Sequence, residues 1–375
     1  MLEKLAQLAN EGLKKMYLSE KGIFCHCLLG SKLQKEGENP FYTLMAIIGL
    51  AKAREKGLKP SFVPEDLFQN VLNNFATTDY LGFWSYALWA ASVLENENIN
   101  SIIIQCEKLF KNLINKKKPI PSMETAYLLY AICEYLTKEK SKKLITLADE
   151  VFQALIKTFH ETSGLFSFTT RTLRKNIVIM RVNQNLGSFA SQINSIMALS
   201  KYYQILDNKT ALKIAKDCAN VICNFQGELG QWWWIYNAKK GFIVEGYPVY
   251  SIHQDGVAIV SFLELQKSLG EPLYEKNLKK GLQWLEGQNE LKIKMYDEKN
   301  KIIWRAIQRK ENPSSQETGP WGLGKKSYFK MQLAGLLNSS IVKKFPLPGK
   351  YELLLESRPY HNGWILLAWS MSNDK

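Results

Sequence analysis

Residues 77–94 read TTDYLGFWSYALWAASVL, a polar and aromatic opening followed by a helix-length run that carries no charge after Asp79. A surface helix keeps one polar face, so a run that is apolar all round predicts a helix buried on every side. Five more segments follow the same plan: NPFYTLMAIIGLAKA (39–53), METAYLLYAICEYL (123–136), GSFASQINSIMALSKYYQIL (187–206), HQDGVAIVSFLELQ (253–266) and RPYHNGWILLAWSMS (358–372). Between them, apolar residues recur at helical spacing against charged faces in 2–17, 64–75, 101–115, 141–159, 208–226 and 272–286. Six alternations of a half-exposed outer helix and a buried inner one predict an all-α fold, an (α/α)6 toroid of six helical hairpins. Repeated helix pairs bury their faces only by stacking on neighbours, and a ring gives every pair two. No low-complexity linker divides the 375 residues, so the toroid is expected as one domain over 1–375.

The chain is 46% hydrophobic and 12% aromatic, enough for a large core, and no apolar run reaches the about 18 residues of a membrane helix. Its net charge of +14, from 49 basic and 35 acidic residues, attracts polyanions. The basic residues are spread along the chain without a zinc-finger, K-homology or RNP pattern, so the charge does not point to nucleic acid. The N-terminus, MLEKLAQLANEGLKKMYL, has amphipathic-helix spacing and lacks the regions of a signal peptide. With six cysteines scattered through apolar contexts, this predicts a reduced, cytoplasmic protein. Cys25-His26-Cys27 has no second ligand pair to complete the about four that zinc takes, so no metal or other cofactor is expected. Nothing in the sequence fixes an oligomeric state.

In such a ring the inner helices run the same way, and their N-terminal ends converge on one mouth. Each end carries free N–H groups and about half an elementary positive charge, which favours anions. The polar residues that open the inner helices fall there: Tyr42, Asp79, Tyr80, Glu124, Tyr127, Ser188, Gln192, His253, Gln254, Asp255, Tyr360 and His361. Asn39, Asp79 and Asp255 also suit helix N-caps. Four connectors with a short β flavour lead into these helices, at 22–29, 164–185, 230–251 and 291–310. Three exceed the about 12–15 residues beyond which loops generally build a function.

The third connector, GQWWWIYNAKKGFIVEGYPVYS, offers flat aromatic faces with polar edges, which suit a sugar ring. Strand alternation places Trp232 and Trp234 on one face as a sugar platform and sends Trp233 into the packing. Tyr247 and Gln254 are expected beside them as substrate-binding groups. Arg171, Arg174 and Arg181 on the second connector, and Trp304, Arg305, Arg309, Glu317 and Trp321 further on, add guanidinium forks for a carboxylate and more aromatic surface. Two chemistries fit. Glycoside hydrolysis uses two carboxylates, for which Glu245, Asp255, Glu317, Glu124 and Asp79 are available. Proton abstraction beside a uronic acid group uses Tyr250, His253, Tyr360 and His361 as acid and base, with Arg358 on the substrate carboxylate. The positive charge of the chain fits the second better.

The six-hairpin pattern resembles the α/α-toroid superfamily, which includes six-hairpin glycosidases, unsaturated glucuronyl hydrolases, toroid domains of polysaccharide lyases, N-acylglucosamine 2-epimerases and isoprenoid cyclases. The aspartate-rich motifs of the cyclases are absent. Tyr250-Ser251-Ile252-His253-Gln254-Asp255-Gly256-Val257-Ala258-Ile259 is similar to the Tyr-Ser-x-x-x-Gln-Gly-x-Ala-Ile-Ser run of D-glucuronyl C5-epimerases, with one residue fewer before the glutamine and one more before the glycine. Arg358-Pro359-Tyr360-His361 is similar to that family's Arg-Trp-Asp-Tyr-His, whose tyrosine is implicated in proton transfer; the resemblance implies Tyr360 as acid or base. The stretch from Trp232 also resembles a group of bacterial proteins with a WWW-x-Y … YPVYS-x-HQD-x-A pattern, linked to polysaccharide gene clusters. The expected function is binding and epimerase- or lyase-type modification of an anionic, uronate-containing glycan. A glycoside hydrolase with paired carboxylates and a non-catalytic glycan-binding scaffold remain open.

Overall fold

A computed structural model describes residues 1–170, 184–310 and 350–372 of the chain. Outer and inner helices alternate as α1 (Leu2–Met16) and α2 (Pro40–Glu55), α3 (Pro64–Phe75) and α4 (Leu81–Leu94), α5 (Ile99–Asn115) and α6 (Ser122–Leu136), α7 (Lys142–Ile156) and α8 (Phe189–Leu206). They continue with α9 (Lys209–Phe225), the single-turn α10 (Ser251–Asp255) running into the inner α11 (Val257–Leu269), and then α12 (Glu275–Leu285) and α13 (Pro359–Met371). The division of labour follows composition. Outer α1 buries Leu2, Leu5, Leu8, Leu13 and Met16 on one face and exposes Glu3, Lys14 and Lys15, whereas every residue of inner α4 except Leu94 is buried.

Local signals set the helix ends. Asn39 caps α2 by accepting from Tyr42 N, ahead of Pro40 in the first turn, and Ser141, Ser188 and Asn208 cap α7, α8 and α9 in the same way. Asp79 and Asp255, the other two expected caps, make no such bond: α4 and α11 begin without a side-chain cap. The fifth inner helix also starts later than its sequence pattern, because Gly256 (φ −122, ψ −95) separates α10 from α11.

Each inner helix packs on the next, α2 on α4, α4 on α6, α6 on α8, α8 on α11 and α11 on α13, and α13 returns to α2 to close the ring. At that seam the two backbones touch through glycines. A Cβ on Gly49 would stand 2.2 Å from the carbonyl oxygen of Gly363, and one on Gly363 would stand 2.4 Å from that of Met45. Aromatic rings fill the axis: Trp89 meets Tyr130 at 4.6 Å and Trp364 at 5.9 Å, and Tyr86 meets Tyr127 at 4.8 Å. These rings therefore block the axis partway, with clefts at both ends: around Tyr42 and Tyr80 at the inner-helix N-termini, and around Lys56 and Lys201 at their C-termini. Beyond the block, Lys201 Nζ pairs with Glu134 (2.6 Å) and approaches Glu264 (3.8 Å), which also accepts from Tyr130 and Gln204. Burial alone would lower the Lys201 pKa, but the two carboxylates raise it.

The connectors leading into the inner helices carry short strands: β1 (Tyr17–Leu18), β2 (Ile23–Leu29), β3 (Gln34–Glu38), β4 (Phe159–His160), β5 (Leu165–Phe166), β6 (Leu186–Ser188), β7 (Ile235–Asn237), β8 (Phe242–Glu245) and β9 (Val249–Tyr250). The connector before α13 adds β10 (Tyr296–Asp297), β11 (Ile302–Ile303), β12 (Ala306–Arg309), β13 (Tyr351–Leu354) and β14 (Glu356–Ser357). Three sheets tie connectors from different hairpins: β14 pairs with β2, β12 lies between β9 and β13, and β7 lies between β6 and β8. No helix of the described residues is long and apolar enough to cross a membrane, and all six cysteines are free.

Because both partners at the seam are backbone, neither moves aside cheaply. Gly363→Ala is expected to destabilise the fold by about 3 kcal/mol or more, read as a fall in Tm, and an unchanged Tm would show that the ring is not closed by this contact.

Candidate active site

The sheet pairings explain how residues far apart in sequence meet at the mouth. Register Glu356↔Leu29 and Ser357↔Leu28 lays β14 along β2 and delivers Glu356 and Arg358 to the start of α2. Register Ala306↔Tyr250 lays β12 beside β9. Arg305, the residue before β12, bonds through its own backbone to both neighbours, its N to Glu356 O and its O to Ser251 N, each at 2.8 Å.

Two guanidinium groups share one carboxylate as a result. Arg305 Nη1 donates to both oxygens of Glu356, at 3.0 and 2.8 Å, and Arg358 Nε donates to Oε1 of the same residue. Burial would raise the Glu356 pKa, but the two arginines hold it below the ordinary value. Two positive charges against one leave this cluster a net cation. Tyrosines surround it: Arg358 Nη1 donates to Tyr42 Oη at 2.5 Å, Tyr42 stacks on Tyr360 at 4.4 Å, and the Arg305 guanidinium lies 5.1 Å from the centre of the Tyr250 ring. Burial pushes the Tyr42 phenol up to about 12, with Tyr360 adding to it and Arg358 opposing, and it raises Tyr250 as well.

Deeper in, Tyr250 meets His253 edge-on at 5.2 Å, and Phe189 covers His253 from another side at 4.7 Å. His253 is 6% exposed, and its Nδ1 has no hydrogen-bond partner. Burial, then the neighbouring His361 and Arg305, lower its pKa to about 3, so the ring is neutral. His361 Nε2 lies 2.7 Å from Asp255 Oδ1 in the interior, while Asp255 Oδ2 has no partner. Burial raises the Asp255 pKa and His361 works against it. The break at Gly256 has a use here: it frees Asp255 from capping a helix and aims it across the ring at α13.

Of the residues singled out in the sequence, Tyr250, His253, Asp255, Tyr360, His361, Arg305 and Arg358 thus gather in one place. Others stand elsewhere. The three tryptophans precede the strand, which starts at Ile235, so the expected alternation does not apply to them. Trp232 is 1% exposed, packed between Phe189 and Phe262, and Trp234 is 8% exposed, edge-on to Tyr250. They are the wall behind His253 and Tyr250, which corrects the expected open platform; Trp233 is buried too, against Tyr247, so burial does not separate it from the other two. Gln254 is wholly buried, with its amide oriented to bond Gly230 O and Trp232 N, and Gln192 likewise spans the backbone of Phe166. Tyr247 is buried and donates to Glu290 at 2.6 Å, and Glu245 pairs with Arg309 at 3.2 Å. Arg171, Arg174, Arg181, Glu317 and Trp321 lie outside the described residues.

Sequence reasoning missed Glu356 and weighed His26 only as part of an incomplete metal set. Glu356 precedes Arg358 by two residues, the spacing that puts both on one face of a strand, and that was the available signal. His26 stacks on Tyr42 at 5.1 Å. Donor atoms of His26, Cys27 and Glu356 lie within 4.8 Å of one another, but the two guanidinium groups already on Glu356 oppose a cation there.

A buried neutral histidine makes stability depend on pH. The unfolded chain takes up a proton near the ordinary pKa of about 6.5, the folded His253 only near about 3, so this contribution is lost as pH falls below the first value. The expected slope is up to about 1.4 kcal/mol per pH unit from this residue, and His253→Gln should flatten it in denaturant melts between those limits.

No protein-family model matches the chain, and no curated protein is similar to it in sequence. Solved structures are similar in fold. The Lin0763 protein of Listeria innocua is 13% identical, with 99% of this chain and 96% of that one covered, at a TM-score of 0.62. An unsaturated glucuronyl hydrolase specific for heparin is 12% identical over 99% and 96%, at 0.61, and a cellobiose 2-epimerase from Bacillus thermoamylovorans B4167 is 11% identical over 99% of both chains, at 0.63. The fold is the α/α toroid of six hairpins, recovered across the length of these proteins despite almost no shared sequence.

Proposed function

We propose that the protein binds an anionic sugar at this mouth and moves a proton at the carbon beside the sugar's carboxylate. The carrying observation is the pair Arg305 and Arg358 around Glu356: a net positive, half-buried cluster ringed by tyrosines, next to acid–base side chains that are themselves buried. A uronate carboxylate suits the free edges of the guanidinium groups, and the tyrosine faces suit a sugar ring.

The step balances without a cofactor. His361 takes the proton, because Asp255 beside it stabilises the imidazolium that forms. The electron pair left on carbon delocalises into the carboxylate, whose second negative charge faces Arg305 and Arg358. Tyr360 returns a proton to the opposite side, inverting the centre; loss of the neighbouring oxygen substituent instead gives elimination. His253, with a pKa of about 3, is too weak a base before an anion binds beside it and serves better as a neutral wall and donor. Paired-carboxylate hydrolysis has less support at this cluster: Asp255, Glu356 and Glu245 are each already engaged by a basic side chain, and Glu124 and Asp79 line the separate cleft beside Tyr80. Two of the similarly folded proteins, the cellobiose 2-epimerase and the glucuronyl hydrolase, are named for acting on sugars, which agrees with this reading.

The test is incubation with uronate-containing oligosaccharides in deuterated water, following deuterium at the carbon next to the carboxylate by NMR and the ultraviolet absorbance of an unsaturated uronate. Arg358→Met and His361→Gln are each expected to lower kcat/KM roughly 100- to 1,000-fold, and Tyr360→Phe to slow the return of the proton more than the exchange itself. Turnover by Arg358→Met at the wild-type rate overturns the carboxylate role, and an absence of both signals with every uronate overturns the reaction.

A further inference from the structure

From the central cluster, Tyr42 leads outward into two clefts that meet at Tyr80. The first, of about 520 Å³, runs from Asn39 and Tyr42 past Phe41 and Phe75 to Tyr80. The second, of about 290 Å³, lies on the other side of Tyr80, floored by Pro121 and Glu124 and edged by Asp79 and by three lysines, Lys108, Lys116 and Lys118, which outnumber the two acidic residues. Volumes of about 300–1,000 Å³ are usual for small-ligand sites. Tyr80 is 41% exposed at the start of α4, an unusual place for a large aromatic. Its ring is held rather than free: it leans on Phe41 at 5.8 Å and over Gly82, where a Cβ would come 2.6 Å from the ring, and it shares the second cleft with Glu124. Burial raises the Glu124 pKa. The three lysines are exposed, and none forms an ion pair among the described residues.

We infer that these clefts bind the sugar units that follow the reacting one, and that the ligand is an oligosaccharide carrying at least one more anionic group. The inference rests on the proposed function for the inner unit. An aromatic face fixed between two hollows suits stacking against a ring of a chain passing over it, and unpaired lysines on the far side supply the counter-charge for its carboxylate or sulfate. Tyr80 then acts as a specificity residue for chain length, and Lys108, Lys116 and Lys118 for charge.

The experiment measures binding of the full-length protein to uronate di-, tetra- and hexasaccharides and to neutral oligosaccharides of the same lengths. Affinity for the uronates is expected to rise with length, with no such rise for the neutral series. Tyr80→Ala should weaken the tetrasaccharide about 3- to 10-fold, and the triple replacement Lys108→Ala, Lys116→Ala, Lys118→Ala should remove most of the salt dependence of the length effect. Arg358→Met should weaken every length alike. Uronate binding that depends on Arg358 but not on length, or a length effect kept in both rim variants, overturns the extended site and leaves the inner one standing. Failure of every uronate to bind overturns both. Melting of each variant at the wild-type Tm excludes a folding defect, and if Tyr80→Ala melts early, Tyr80→Leu, which fills the space without an aromatic face, and the lysine variant carry the comparison.

Discussion

Everything at the mouth depends on one close contact between backbones, where Gly49 of α2 meets Gly363 of α13. A toroid has no free faces only if its last inner helix reaches its first, and here side chains leave no room between them. The approach fixes α13, and α13 carries Tyr360 and His361. Arg358 stands immediately before it, bonded to Tyr42 at the head of α2. Closing the ring and assembling the site are the same event, so a change that opened the seam would also separate Tyr42 from Tyr360.

The site itself is an arrangement of unlike protonation environments within a small volume. Near the surface, two arginines and one carboxylate hold a net positive charge where the inner helix N-termini add to it. A layer deeper, His253 is buried against Phe189 and Tyr250, which are backed by Trp232 and Trp234, and burial keeps it neutral; Asp255 meets His361 at 2.7 Å. The tryptophans act through this exclusion of water. Their contribution is to back the rings of Phe189 and Tyr250 that cover His253.

Much of the frame was legible in the chain. The alternation of all-round apolar and amphipathic stretches gave all six hairpins, with most helix ends within a few residues, because burial on every side and burial on one side leave different patterns of charge. The mouth residues of α10 and α13 were legible too, since each sits at the head of an inner segment. What misled was local: residues 232–234 look like a strand by composition, yet the strand begins at Ile235, and no neighbour in sequence reveals that Phe189 and Phe262 enclose Trp232. Gln254 was misplaced for the same reason, its partner being the backbone of Gly230 and Trp232.

The sequence by itself determined the fold class and the set of side chains that open each inner helix, because helical periodicity and chain order are one-dimensional properties. Only the tertiary structure decided which of those side chains meet. Glu356 joins Arg305 across 51 residues, and Asp255 joins His361 across 106, through strand registers and a ring closure that no local pattern encodes. Protonation is decided there as well, since the charge a histidine or aspartate carries depends on how much water the folded neighbours leave around it.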